Sequence, residues 1–285
     1  MKRTLHDQRI LITGASSGIG RALAEVAARQ GAKVAVVARQ AVPLEDLALE
    51  LRRHDTEALA IPGDVTKPED RQRLLATVVD EFGGLDVLVN NAGVGSYGHF
   101  AESTEAVLRE VMEVNFFAPA ELIRLAMPVL RQGRRPAVVN ISSRCGRRGL
   151  PAWSEYSASK FALTGLHESL LAESVRSGIH FLLVVPGLTR SDLRNRLLRN
   201  VGRLELPPDK GMSPEYVAQQ TLRALVAHKR EIVLGLDAKI MLFLNRWCPR
   251  ILNLLIRRKV SQLYADELHP RQPPRHTPEP TSITS

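Results

Sequence analysis

Ser154-Glu155-Tyr156-Ser157-Ala158-Ser159-Lys160 puts a phenol and an ammonium four residues apart near the start of a helically patterned segment, so both stand on one face, a turn apart. Tyrosine ordinarily ionises at about pH 10, too high for a base at neutral pH. A neighbouring ammonium stabilises the phenolate and brings that value toward the working range, which equips the pair for proton transfer. Ordinary surface Tyr/Lys pairs share this spacing, so the pair alone does not establish that chemistry.

Polar clusters elsewhere supply the rest. Thr13-Gly14-Ala15-Ser16-Ser17-Gly18-Ile19-Gly20 follows an apolar strand-like run and opens a helix-like one. Glycines there permit a tight turn and close approach of backbone N–H groups to a pyrophosphate, and the partial positive charge of the helix N-terminus favours the same anion. The spacing is G-x-x-x-G-x-G rather than G-x-G-x-x-G, the commonest dinucleotide fingerprint. Gly14 to Gly18 also satisfies G-x-S-x-G, the nucleophile elbow of hydrolases, but that reading needs a histidine at a later strand end and none offers one. A P-loop would close on Gly-Lys-Ser/Thr, whereas Gly20 is followed by Arg21. The second strand-like run ends Val36-Val37-Ala38-Arg39, without the acid that holds the 2′-hydroxyl of NAD and with a guanidinium suited to a 2′-phosphate, so the dinucleotide expected is NADP. Eight scattered histidines and the lone Cys145 and Cys248 show no metal-ligand spacing, and no metal is expected.

The elements that position these groups alternate in type. Strands are expected at Arg9–Thr13, Lys33–Ala38, Ala58–Pro62, Asp86–Asn90, Ala137–Ser142 and His180–Val185. Helices are expected at Gly18–Gln30, near Leu44–His54 and Pro68–Phe82, at Thr104–Arg131 as one long helix, and near Ser154–Ser177. The strands are near-continuously apolar rather than alternating, as when both faces of a parallel sheet are covered. Strict β-α-β alternation with short connections predicts an α/β, Rossmann-type doubly wound parallel sheet in a single domain. Asp64-Val65, Asn90-Asn91-Ala92-Gly93, Asn140-Ile141-Ser142-Ser143 and Pro186-Gly187 then all fall at carboxyl ends of strands, the edge where such sheets bind ligands.

With those residues in place the chain resembles the short-chain dehydrogenase/reductase family from roughly Arg9 to Ser191. The matching pieces are TGASSGIG at 13–20, DV at 64–65, NNAG at 90–93, Asn115 in EVNFF, Ser143, YSASK at 156–160 and PG at 186–187. The resemblance implies a hydride transfer between nicotinamide and a carbonyl or alcohol. Tyr156 would be the general acid/base, and Lys160 would lower its pKa while holding the nicotinamide ribose. Ser143, thirteen residues before Tyr156, would orient the substrate oxygen, with Ser142 its nearby competitor. Asn115 resembles the residue that bends its helix and anchors a water in the proton relay. The cofactor-binding set implied is Gly14, Ser16, Ser17, Gly18, Ile19, Gly20, Arg39, Asp64, Val65, Asn91, Ala92, Gly93, Tyr156, Lys160, Pro186, Gly187, Thr189 and Ser191. The family often carries threonine where Ser191 stands, so Thr189 is a second candidate for the carboxamide contact. The competing reading is a catalytically idle dinucleotide-binding sensor or scaffold, which needs the phosphate loop but not the acid/base.

Composition sets the remaining expectations. At 285 residues, 44% hydrophobic and 24% charged, the chain has an ordinary soluble make-up, and aromatics at 5% predict a mostly aliphatic core. No run reaches the roughly 18 apolar residues of a spanning helix. With no signal-like N-terminus and no disulfide framework, a cytoplasmic protein is expected. The net charge of +9 favours anionic partners. Nucleic acid is not among those expected, because no recognised module accompanies the charge. Arg144, Arg147 and Arg148 sit between Ser143 and Tyr156, where they suit either an anionic substrate or a solvated basic loop.

Three segments are expected: a catalytic dinucleotide-binding domain over 1–235, an amphipathic basic extension over 236–268, and a disordered Pro-rich tail over 269–285. Within 1–235, Thr189–Gly211 reads as a polar loop, Pro214–His228 as a helix and Glu231–Gly235 as a last strand. Asp237–Tyr264 mixes apolar and basic residues and reads as two helices split at Pro249. It fits a cover over the substrate cleft, a subunit contact or peripheral contact with an anionic membrane surface. A small-molecule carbonyl or alcohol substrate, hydrophobic or lipid-like, and a homodimer or homotetramer through the helices near 104–131 and 154–177 complete the expected partners.

Overall fold

A computed structural model describes residues 3–190, 193, 196–203 and 210–265. Seven strands form one wholly parallel sheet: β1 Arg9–Thr13, β2 Lys33–Ala38, β3 Ala58–Pro62, β4 Val87–Asn90, β6 Ala137–Ile141, β7 His180–Pro186 and β9 Glu231–Leu234, in the order β3-β2-β1-β4-β6-β7-β9. The order reverses between β1 and β4, where Ile10 pairs with Val87. Loops leaving the two strands diverge there and open a crevice at the carboxyl edge.

Alternation along each strand builds a core on both faces. Ile10, Ile12, Val34 and Val36 point into one layer, against α1 Gly18–Ala28, α2 Ala41–Arg52 and α7 Pro214–Val226. Leu11, Ala35, Val37 and Leu88 point into the other, against α3 Pro68–Phe82 and α5 Ala118–Leu130. Every residue of β6 and β7 is buried, which explains why their sequences are apolar apart from Asn140 and His180.

Two departures from the expected elements bear on the site. Thr104–Arg131 is not one regular helix: α4 Glu105–Met112 passes through a π-helical turn at Glu113–Phe117 before α5. Such a turn inserts one residue into the helical repeat, a change too small to disturb the apolar periodicity. Within 189–211, otherwise read as loop, β8 Leu197–Asn200 pairs in parallel with a three-residue strand, β5 Gly95–Tyr97. The last helices are α6 Ser154–Ser177, α8 Leu236–Trp247 and α9 Pro249–Leu263, the final pair divided at Cys248 just before Pro249. Residues 269–285 lie outside the described residues.

Candidate active site

The phosphate loop is shaped by contacts to the turn after β4. Asn91 donates through Nδ2 to the carbonyls of Thr13 (2.9 Å) and Gly14 (3.1 Å), and the Asn91 and Ala92 amides donate to Thr13 Oγ1 at 3.0 and 3.1 Å. This leaves no room at Gly20, where a Cβ would lie 2.4 Å from both Asn91 Nδ2 and Gly14 O. Helix α1 begins just behind, with no acidic residue in its first turn and no side-chain cap from Ser17. Its leading N–H groups are thus available to an external anion.

Two adjoining clefts run along the carboxyl edge and share Gly14, Ala92, Gly93 and Arg196. The larger, about 1220 Å³, passes over the ends of β2 and β3 and is lined by Ser16, Arg39, Asp64 and Val65. Arg39 is exposed and makes no ion pair or side-chain hydrogen bond among the described residues. The smaller, about 210 Å³, lies over β6 and β7 and is lined by Ser17, Gly18, Ile19, Asn91, Ser143, Tyr156, Lys160, Pro186, Gly187 and Thr189. A dinucleotide fits this pair of clefts: the donor-rich α1 N-terminus stands where they meet, a free guanidinium lies toward one end and the Tyr156 phenol toward the other. Ser191 lies outside the described residues.

Tyr156 and Lys160 are both buried on α6, with Lys160 Nζ 5.8 Å from the phenol ring centroid and donating to Ile141 O at 3.0 Å. Burial pushes the phenol well above its ordinary pKa, and the nearby Cys145 adds to the rise. The Ser143 hydroxyl, through a hydrogen bond, and the Arg144 charge oppose it. Burial also lowers Lys160, to about 8. The pair therefore stands as a neutral phenol beside an ammonium at neutral pH.

Ser143 and Ser142 separate cleanly. Ser142 Oγ is buried 3.1 Å from Thr164 Oγ1 on α6, whereas Ser143 Oγ accepts from Cys145 N at 3.1 Å and Ser143 lines the smaller cleft together with Tyr156. Asn115, in the π turn, is wholly buried. Its Oδ1 accepts from Val94 N and its Nδ2 donates to Val94 O and Ser159 Oγ, each at 2.9 Å. Gly93 lies between it and Lys160, since a Cβ there would be 3.1 Å from Asn115 Oδ1 and 3.7 Å from Lys160 Nζ. Beneath the site, Asn90 donates to Asn140 at 2.9 Å and Asn140 meets His167 Nδ1 at 3.2 Å, a buried ladder in which burial holds the His167 pKa down to about 4.

Several contributors carry no signal in the linear sequence. Asp237, at the start of α8, accepts from Leu188 N at 2.9 Å and pairs with Arg144, the neighbour of Ser143. It packs so closely on Gly187 that a Cβ there would lie 2.3 Å from Oδ1. Trp153 stacks on Tyr97 (4.9 Å) and meets Tyr156 edge-on (5.6 Å), closing the apolar side of the smaller cleft. Arg196 reaches to 3.4 Å from Ser16 Oγ. The arginines after Ser143 are neither free nor merely solvated. Arg147 pairs with Glu168 and Glu231, and Arg148 hydrogen-bonds Asn245 and Asn253.

A family model described as short chain dehydrogenase matches residues 8–202. An uncharacterized oxidoreductase of Bacillus subtilis, YxnA, is 34% identical over 263 residues, which are 90% of this chain and 73% of that protein. A short-chain dehydrogenase from Streptomyces avermitilis superposes with a TM-score of 0.76 at 35% identity, covering 90% of this chain and 97% of its own. An alcohol dehydrogenase from the archaeon Thermococcus sibiricus, solved in complex with 5-hydroxy-NADP, superposes with a TM-score of 0.72 at 27% identity, covering 80% and 96%. The chain belongs to the short-chain dehydrogenase/reductase family. It is an oxidoreductase built on a nucleotide-binding Rossmann fold.

Proposed function

We propose that this oxidoreductase interconverts a carbonyl and a secondary alcohol with NADP(H), and that Tyr156 is its proton donor and acceptor. The carrying observation is the buried Tyr156, which lines one cleft with Ser143 and whose ring centroid lies 5.8 Å from Lys160 Nζ. Arg39 would hold the 2′-phosphate, the α1 N-terminus with Ser16, Ser17, Gly18 and Ile19 the pyrophosphate, and Lys160, Pro186, Gly187 and Thr189 the nicotinamide half. When bound, the dinucleotide supplies or accepts the hydride. In reduction, Ser143 donates a hydrogen bond to the carbonyl oxygen and Tyr156 delivers its phenol proton to that oxygen, leaving an alcohol and a phenolate. Oxidation returns the proton to Tyr156. Lys160 stabilises the phenolate, and Asn115 holds the Val94 backbone next to Gly93, which lies between Asn115 and Lys160. Trp153 keeps bulk water from the phenol, which strengthens each of these interactions.

Leu150, Trp153, Leu188 and Leu193 line the smaller cleft and support a hydrophobic or lipid-like substrate. Exposed Phe117 and Phe161 support the expected homo-oligomer through the helices around 104–131 and 154–177, and α8–α9 is read as an extension appended to the catalytic domain.

Two measurements bear on this reading. NADPH consumption against a broad carbonyl panel should reveal turnover, and Arg39→Asp should cut kcat/KM with NADPH about 100-fold relative to NADH, since a charge-assisted phosphate contact is exchanged for repulsion. A clean NADPH binding isotherm with no turnover on any carbonyl would instead favour a dinucleotide sensor. Asp237 acts as a positioning residue: Asp237→Ala should raise the dinucleotide KM about fivefold, the roughly 1 kcal/mol that one typical hydrogen bond contributes, with kcat changed less. Asp237→Asn, which keeps an acceptor for Leu188 N, should recover most of that loss. A fall in thermal stability with KM untouched would assign Asp237 to folding alone.

A further inference from the structure

The C-terminal pair of helices is amphipathic the wrong way round for a surface meeting water. Leu236, Ile240, Phe243 and Trp247 recur at intervals of four, three and four residues along α8, and all four are at least half exposed. At about 100° per residue they fall within a sector of about 60°. The opposite side of α8 carries buried Ala238 and the polar Asn245, which hydrogen-bonds Arg148. In α9 the pattern continues: Leu252 is buried, Asn253 bonds Arg148, and Ile251, Leu254 and Leu255 are half exposed. Polar groups fasten the pair to the body while large apolar groups face outward.

Charge identifies what this face meets. Lys239, Arg246, Arg250, Arg257, Arg258 and Lys259 lie on the same two helices and are exposed, and none makes an ion pair among the described residues. The single carboxylate of the pair, Asp237, is already engaged by Arg144 and the Leu188 amide. Lys239 and Arg246 flank one edge of the apolar stripe, with the Arg246 guanidinium 6.0 Å from the Trp247 ring. We propose that the outward face of α8–α9 docks the protein on an anionic lipid bilayer, its apolar stripe entering the acyl boundary and its cations meeting lipid phosphates. A hydrophobic stripe bordered by unpaired cations, with tryptophan at its end, is the arrangement that lies in such an interface. No helix among the described residues is long and apolar enough to cross a membrane, so the contact is peripheral. Two-fold pairing of this face with a second copy would set cations against cations, and a cover over the clefts would need the apolar side turned inward.

Flotation of the full chain with vesicles tests the proposal. Recovery with phosphatidylglycerol-containing vesicles should exceed recovery with phosphatidylcholine alone by about tenfold at low salt and fall as salt is added. Phe243→Glu with Trp247→Glu should abolish it. Arg257→Glu with Arg258→Glu, which leaves the apolar stripe intact, should lose the preference for anionic lipid. Trp247 emission should shift to the blue on binding, and Trp247→Phe should remove that shift. Absence of flotation on anionic vesicles, or equal recovery from neutral ones, overturns the proposal. So does conversion of an oligomer to monomers by Phe243→Glu/Trp247→Glu with flotation unchanged, which would assign the face to a second copy.

Discussion

Tyr156→Phe is expected to lower kcat by about 10³ in both directions of the reaction while leaving dinucleotide affinity within about twofold. A positioned acid/base contributes about 10²–10⁴, and the apolar surroundings place this one high in that range, because an alkoxide forming there has little water to protonate it. Phenylalanine keeps the ring that Trp153 meets at 5.6 Å, so the packing between α6 and the smaller cleft persists. Stopped-flow turnover together with titration of NADPH fluorescence distinguishes the two quantities. If turnover survives within tenfold, the phenol is not the proton carrier.

Lys160→Met should have the next largest effect, and a characteristic pH signature. A unit charge 5.8 Å from the phenol ring, at an effective dielectric of about 20, is worth about 3 kcal/mol, or about two pK units on the phenol. The sign follows from the two states. Reduction uses the neutral phenol, which burial favours, so its rate should be flat through neutral pH and decline above about 8 as Lys160 loses its proton. Oxidation uses the phenolate, so its rate should climb with pH. In Lys160→Met, oxidation at neutral pH, where the ammonium is present, should fall about 100-fold, and the gap from the unaltered enzyme should close above about pH 8 as Lys160 itself loses its charge. Lys160→Arg, which keeps the charge, should hold the climbing limb near its original position. A uniform loss at every pH would mean that Lys160 merely props up β6 through Ile141.

The sheet was legible because its strands are buried on both sides. Runs such as Lys33–Ala38 and His180–Pro186 have no polar face to confuse with a helix, and the intervening amphipathic segments set the connection. The clusters at 64–65, 90–93, 140–143 and 186–187 could be placed on one edge from that topology alone. Short-range irregularities could not. The strand Leu197–Asn200 carries an arginine and an asparagine in four residues, and it exists only because Gly95–Tyr97 offers it an edge.

Within the site, residues whose part depends on near neighbours were readable, as with Tyr156 and Lys160 one turn apart. The contact between Ser142 and Thr164 on α6 is not visible in the sequence, where only the thirteen-residue interval to Tyr156 favoured Ser143. Asp237 was out of reach for the same kind of reason: its partner Arg144 is 93 residues away, and a lone acid at the start of a helix reads as an ordinary N-terminal charge. The basic loop at 144–148 showed its cations in sequence but not their carboxylate and amide partners.

The π turn at Glu113–Phe117 sets a limit on how this chain can change length. Excising one residue there would let α4 and α5 fuse into an uninterrupted α-helix, locally the more regular structure. Because the wider turn absorbs its extra residue, the flanking helices would stay close to their present phase and Leu122, Ile123 and Ala126 would keep facing the sheet. What would be lost is the bulge that brings the amide of residue 115 within reach of the Val94 backbone. The extra residue therefore serves the cleft edge rather than the core, and its loss should spare the fold more than the site.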